Sequence, residues 1–174
     1  MDVVAKSRSF AAERHASQTR KYSHEPYTVH LDNVVALLKQ NGVEDATTLA
    51  TGYLHDTVED TDTQIQDLIK EFGEPIAELV YWLSDMEKGN RTSRVLMSAW
   101  RLAKAPLRAK LVKCADIIDN STNILQHDPG FAPIFISEKR IILHHMAMAE
   151  GPILLDTPLF QEARRTTAIP PPQA

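Results

Sequence analysis

Apolar residues recur along this chain at spacings of three and four, and runs of alternating β-branched residues are nearly absent. That periodicity selects helices and argues against a sheet. Only six glycines interrupt the pattern. The spacing predicts helices over about residues 2–20, from Val34 to Asn41-Gly42, over about 45–60, and on a segment carrying Ile65, Leu68 and Ile69 behind a Thr61-Asp62-Thr63 cap. Gly73 closes that segment, and Ile76, Leu79, Val80 and Leu83 mark the next helix. A polar loop over 84–92 precedes a helix over about 93–104, and Ala105-Pro106 breaks the chain before a long helix striped by Leu111, Val112, Ala115 and Ile118. A further helix covers about 133–149. The reading is an all-α bundle of one domain, residues 1–150, with 151–174 as a C-terminal extension ending in a mobile Pro-rich tail, TTAIPPPQA.

The 174 residues suffice for one independent core. A net charge of −4 gives no basic footprint for nucleic acid, although local basic clusters remain free to hold a phosphorylated small molecule. No stretch approaches the ~20 apolar residues of a membrane span. The opening MDVVAKSRSFAAERHA lacks the apolar centre of a secretory signal. The single cysteine, Cys114 in the apolar run LVKCAD, reads as a buried structural thiol in a cytoplasmic protein.

The chemistry concentrates in GYLHDTVEDTDT. On a helix, His55 stands above Glu59 and Asp56 above Asp60, so an imidazole and three carboxyl groups crowd less than two turns. Taken alone, the string also reads as a solvated acidic face. The negative end of a helix dipole disfavours carboxylates there, which tilts the reading towards a bound cation. Two further residues add weight. His30 ends EPYTVH, and Asp116 sits inside the apolar LVKCADIIDN, where a lone carboxylate is costly unless it pairs with a cation or with Lys113, three residues earlier. The order His30, His55-Asp56, Asp116 gathers two imidazoles and two carboxylates, a donor set suited to Mn²⁺, Fe²⁺ or Zn²⁺ more than to Mg²⁺ or Ca²⁺.

These residues, in this order, resemble the HD superfamily, named for its His-Asp doublet. The blocks ASQTRKYSHEPYTVH, YLHDTVEDTDT and KLVKCADIIDN resemble more narrowly the hydrolase domain of RelA/SpoT-type alarmone enzymes, above all their stand-alone small alarmone hydrolases. The likeness runs from about residue 5 to 150. It implies an HD-type helical bundle that removes the 3′-pyrophosphate from (p)ppGpp or (p)ppApp. It also implies one Mn²⁺ held by His30, His55, Asp56 and Asp116, with Glu59 and Asp60 orienting or deprotonating the attacking water. Arg20, Lys21 and Asn120 match nucleotide-contacting positions. Arg91 falls where the family has a basic residue for the pyrophosphate, and Arg140 and His144 fall near another substrate-contacting stretch. No counterpart of the long relatives' synthetase module follows residue 150, so the expectation is hydrolysis alone. The partner is a small nucleotide, with no nucleic acid and no membrane; a homo-oligomer is left open.

The chain departs from the family at three places. Leu31-Asp32 follows His30 where proline is frequent, Ile117-Ile118-Asp119-Asn120 follows the last aspartate where a basic residue and a histidine are frequent, and His144 stands where tyrosine is common. The second change sets an extra carboxylate, Asp119, near the nucleotide and leaves guanine against adenine open. Two other functions stay in view: an HD phosphatase for a different nucleotide, and a non-catalytic nucleotide-binding module.

Overall fold

In the computed structural model, residues 2–168 are described, and they form helices with no strand among them. The all-α expectation holds. The IPPPQA part of the tail expected to be mobile lies outside the described residues.

Helix α1 (Val3–Arg14) ends well before the expected residue 20. The chain beyond it turns back on itself: Thr19 and Pro26 form an isolated antiparallel bridge, and the Arg20 amide donates to the Glu25 carbonyl at 2.8 Å. His24 takes a left-handed backbone (φ 58°) at the tip. This return places Arg20 inside the molecule. Helix α2 (Thr28–Gln40) then carries His30 in its first turn and stops at Asn41-Gly42 as expected. Helix α3 (Ala46–Leu54) is capped by Asp45, whose carboxylate accepts from the Thr48 amide at 3.0 Å. It packs closely on α2 at Gly52, where an added Cβ would lie 2.9 Å from Leu38 and 3.0 Å from Val35.

The helix expected over 45–60 is broken at His55-Asp56 and resumes as the single turn α4 (Thr57–Asp60). Side chains take the carbonyls that an unbroken helix would use. His55 Nδ1 donates to Gly52 O at 2.9 Å, and the Thr57 hydroxyl donates to Leu54 O at 2.7 Å. Helix α5 (Ile65–Phe72) is capped by Gln64 and not by Thr61-Asp62-Thr63. Gln64 and Asp67 form a reciprocal capping box, while the Thr61 and Thr63 hydroxyls bond each other. Gly73, at φ 85°, joins α5 to α6 (Glu74–Leu83). After a polar loop, Asn90 caps α7 (Arg91–Lys104), and Pro106 opens α8 (Leu107–His127).

Helix α8 is the spine of the bundle. It touches α2, α3, α6, α9 (Ala132–Glu150) and α11 (Pro158–Thr166), and its Val112, Cys114, Ala115 and Ile117 are fully buried. Cys114 is the buried free thiol that its apolar setting predicts. The sequence reading set 151–174 apart from a domain ending at 150. The short α10 (Pro152–Leu155) and α11 instead add Leu154, Leu159, Phe160 and Ala163 to the same core. Two prolines at helix starts and a Thr157 cap make these turns, in a stretch whose periodicity is too short to stand out. No helix of the described residues is long and apolar enough to cross a membrane.

Candidate metal and nucleotide site

Three elements converge near the middle of α8. The start of α2 brings His30, the break after α3 brings His55 and Asp56, and α8 brings Asp116. Ligand atoms of His30, His55 and Asp56 all lie within 4.8 Å of one another. Asp116 flanks them, its Oδ1 3.5 Å from His30 Nε2 and 3.8 Å from His55 Nε2.

The ring nitrogens show what the cluster lacks. His55 Nδ1 donates to Gly52 O, and His30 Nδ1 donates to Asp119 Oδ2 at 2.7 Å. With both Nδ1 positions committed, the neutral tautomers point two Nε2 lone pairs at each other across 3.3 Å, beside the Asp56 and Asp116 carboxylates. Nearly all of this is shut off from water: His30 is 1% and His55 2% exposed. A cation at the shared point resolves the clash of lone pairs and charges, so the donor set fits a divalent metal. Without one, protons must do that work. Burial opposes charging His55, yet Asp56 and Asp116 outweigh it and push the ring up to about 10. Burial likewise opposes the two carboxylates, but His55 and His30 hold Asp56 below the ordinary range, and Lys113 and His55 hold Asp116 there.

Asp116 realises both readings of its position. Its Oδ2 pairs with Lys113 at 2.8 Å, and its Oδ1 accepts from Asn120 at 2.5 Å while facing the histidines. Glu59 and Asp60, on the turn that follows Asp56, are exposed. Protein mass around the Glu59 carboxyl disfavours its charge and pushes it up to about 7, although the Asp85 amide donates to it at 2.9 Å. Asp60 is raised for the same reason, then by the Asp56 charge.

A cavity of about 180 Å³ opens at His30 and is lined by Arg20, Lys21, Asn120, Tyr22, Tyr27 and Phe135, among others. The expected nucleotide residues Arg20, Lys21 and Asn120 thus gather beside the histidines. Arg20 is 7% exposed and its guanidinium pairs with Asp119 at 2.7 Å. Three other expected contacts are not brought here. Arg91 forms a two-pronged pair with Glu138 and stacks on Phe131. Arg140 and His144 line a separate cleft with Leu155, Phe160 and Arg164. Lys139, one residue before Arg140, faces the other way: its amine lies over Phe135 and near enough to Lys113 and Asp116 to feel their charges. A one-residue step turns a side chain by about 100° on a helix, and a loosely anchored match has no means to fix that phase.

Sequence reasoning also missed Tyr27. Its hydroxyl donates to Asp56 Oδ2 at 2.5 Å, and its ring stacks on His15. Burial and then the Asp56 charge push its phenol far above the ordinary value, so it serves as a proton donor only in hydrogen bonding. Its position three residues before His30, on the same helical face, was the available signal.

Comparison with known proteins agrees with this geometry. Residues 7–130 match the HD domain family. The chain is 35% identical over 122 residues to the guanosine-3′,5′-bis(diphosphate) 3′-pyrophosphohydrolase MESH1 of Drosophila melanogaster, covering 69% of this chain and 68% of that protein. It is also 35% identical over 122 residues to a guanosine-3′,5′-bis(diphosphate) 3′-pyrophosphohydrolase of Aquifex aeolicus, of which it spans 17%. Among solved structures, a metazoan ortholog of SpoT that hydrolyzes ppGpp superposes with a TM-score of 0.83 at 25% identity, covering 95% of this chain and 94% of that one.

Proposed function

This chain belongs to the HD domain family, and from that premise we propose that it is a metal-dependent 3′-pyrophosphohydrolase of guanosine 3′,5′-bis(diphosphate)-type nucleotides. Water adds to phosphorus, the bond between that phosphorus and the nucleoside O3′ breaks, and O3′ leaves with a proton. The products are pyrophosphate and GDP or GTP; the adenosine counterparts would give ADP or ATP. The observation that carries the reading is the pair of Nε2 lone pairs aimed at one point between Asp56 and Asp116, directly beside the cavity of Arg20, Lys21 and Asn120.

His30, His55, Asp56 and Asp116 would hold the metal; this mixed nitrogen and oxygen set suits Mn²⁺, Fe²⁺ or Zn²⁺, and Mn²⁺ is the ion that the family resemblance implies. When bound, a divalent cation acidifies water and offsets phosphate charge. The protein's own groups do the rest. Glu59, exposed and ionising near neutrality, takes the proton from the attacking water. Asp60 orients that water together with Tyr27, whose hydroxyl lies 3.4 Å from Asp60 Oδ2. Lys21 and Asn120 receive the nucleotide, and Lys113 and Lys139 supply positive charge to the pyrophosphate. A cytoplasmic location suits the free, buried Cys114.

Pyrophosphate release from guanosine and adenosine 3′,5′-bis(diphosphates), with Mn²⁺ added, tests the reading. GTP and ATP, lacking the 3′ group, serve as controls. Release from the bis(diphosphates) alone is expected; equal cleavage of the controls would overturn the assignment.

A further inference from the structure

The departure at Asp119 has a structural counterpart on the far side of His30. Its carboxylate, carried by α8, accepts from three side chains on the two other elements that meet there. Oδ2 takes His30 Nδ1 from α2 and the Arg20 guanidinium from the return after α1, each at 2.7 Å. Oδ1 takes the Asn33 amide, one turn along α2, at 2.8 Å. Arg20 and Asp119 side chains are 7% and 10% exposed, so this is a buried charge pair. Desolvation offsets much of what such a pair adds to stability, so its weight here lies in where it holds the two side chains.

The consequence falls on the imidazole. A ring with one nitrogen donating to a carboxylate is fixed in tautomer and in rotation, and its other nitrogen becomes a stronger base. Only one nitrogen of His30 faces His55 and Asp56, and Asp119 determines that it is the unprotonated one. Arg20 in turn balances Asp119. Its Nη1 is committed to that carboxylate, while its Nη2 reaches only to 3.5 Å from Asn120.

We propose that Asp119 is a positioning residue that holds His30 as a metal ligand, and that Arg20 acts first as the clamp on Asp119 and only second as a nucleotide contact. This rests on the metal-site reading above. It assigns a role to a residue in which the chain departs from its relatives' sequence pattern, and it moves Arg20 away from the bound nucleotide.

The test is metal affinity measured by calorimetry without any nucleotide, on the wild type and on Asp119→Ala, Asp119→Asn and Arg20→Gln. The expected loss for Asp119→Ala is about 10- to 100-fold, the scale for removing the partner of a ligating histidine. Asp119→Asn keeps an oxygen that accepts from Nδ1 and loses less. Arg20→Gln also weakens the metal, which a residue serving only the nucleotide would not do. Proton NMR of the Zn²⁺-loaded protein adds a readout of the ring itself. The His30 Nδ1 proton is expected far downfield in the wild type, shifted upfield in Asp119→Asn, and lost to exchange in Asp119→Ala. A wild type that takes up no metal overturns the site reading and this inference together. A wild type that binds metal, with Asp119 variants of equal affinity, overturns the inference alone. Should Asp119→Ala fail to fold, Asp119→Asn decides: an unchanged affinity and an unmoved Nδ1 proton sink the proposal.

Discussion

Two regions of this molecule combine histidine with charged side chains, and they differ in what surrounds those groups. Between α2, α3 and α8, His30, His55, Asp56 and Asp116 are packed against one another, and each has a defined partner. Between α9 and α11, Arg140, His144 and Arg164 line a larger cleft of about 580 Å³, and all three are exposed. Cavity size and residue type alone would favour the second region. The proposed chemistry is placed in the first, because charges and lone pairs removed from water must be answered by a cation or a proton, whereas solvated ones need no answer. The difference teaches that a site is read from what its groups cannot satisfy among themselves.

The sharpest way to break the comparison is to remove a carboxylate from the first region. Asp56→Ala or Asp116→Ala is expected to abolish both metal content and turnover. Elemental analysis decides it, and full metal occupancy in Asp116→Ala would remove that residue from the ligand set. Next in size is Glu59→Gln, which keeps shape but not basicity. Turnover should fall by at least ~100-fold, the scale of a lost general base, with metal content unchanged.

The Glu59 carboxyl also carries a pH signature. Its charge is disfavoured in the folded state, where it ionises at about 7 against an ordinary 4.5. Between those values the metal-free native protein holds a proton that the unfolded chain has released. The Glu59 contribution to stability therefore falls as pH rises through that window. Thermal melts of the metal-free protein across it should show this decline in the wild type and a flatter profile in Glu59→Gln.

The smallest effect separates the two faces of α9. Lys139→Ala is expected to raise KM by about tenfold, the scale of one lost bond to a charged group, while Arg140→Ala changes KM by less than about twofold. Steady-state kinetics on the two variants tests the phase of the helix. The opposite order would mean that substrate enters from the α9–α11 cleft.

Much of the site was legible because its residues are anomalies. A carboxylate in LVKCAD and a histidine beside three carboxyl groups are costly in any fold, so Asp116, His55 and Asp56 stand out in the linear string alone. Arg20, Lys21 and Asn120, singled out in the sequence, line one cavity beside His30, but the pairing that commits Arg20 to Asp119 was not foreseen. Arg140 and His144, expected near the substrate, line a different cleft, since the charged residues at 139 and 140 are equivalent until a neighbouring helix selects a face. Tyr27 and Lys139 escaped because their types are common and only their neighbours make them special.

The sequence by itself determined the helical class and the helix-stopping signals at Asn41-Gly42 and Gly73, and it singled out the residue types able to bind a metal. These depend on local backbone preference and on side-chain identity, which a linear string carries in full. The tertiary structure decided the rest. It broke the third helix at His55-Asp56, turned the chain after Arg14 so that Arg20 reaches Asp119, and enlisted α10 and α11 in the core. The break is held by bonds three residues apart, but the placing of Arg20 and the docking of α10 and α11 depend on atoms far apart in the chain meeting in space, as Arg20 and Asn120 do. Partners so far apart leave no periodic trace in the sequence, and only the packed bundle fixes which way each helix faces.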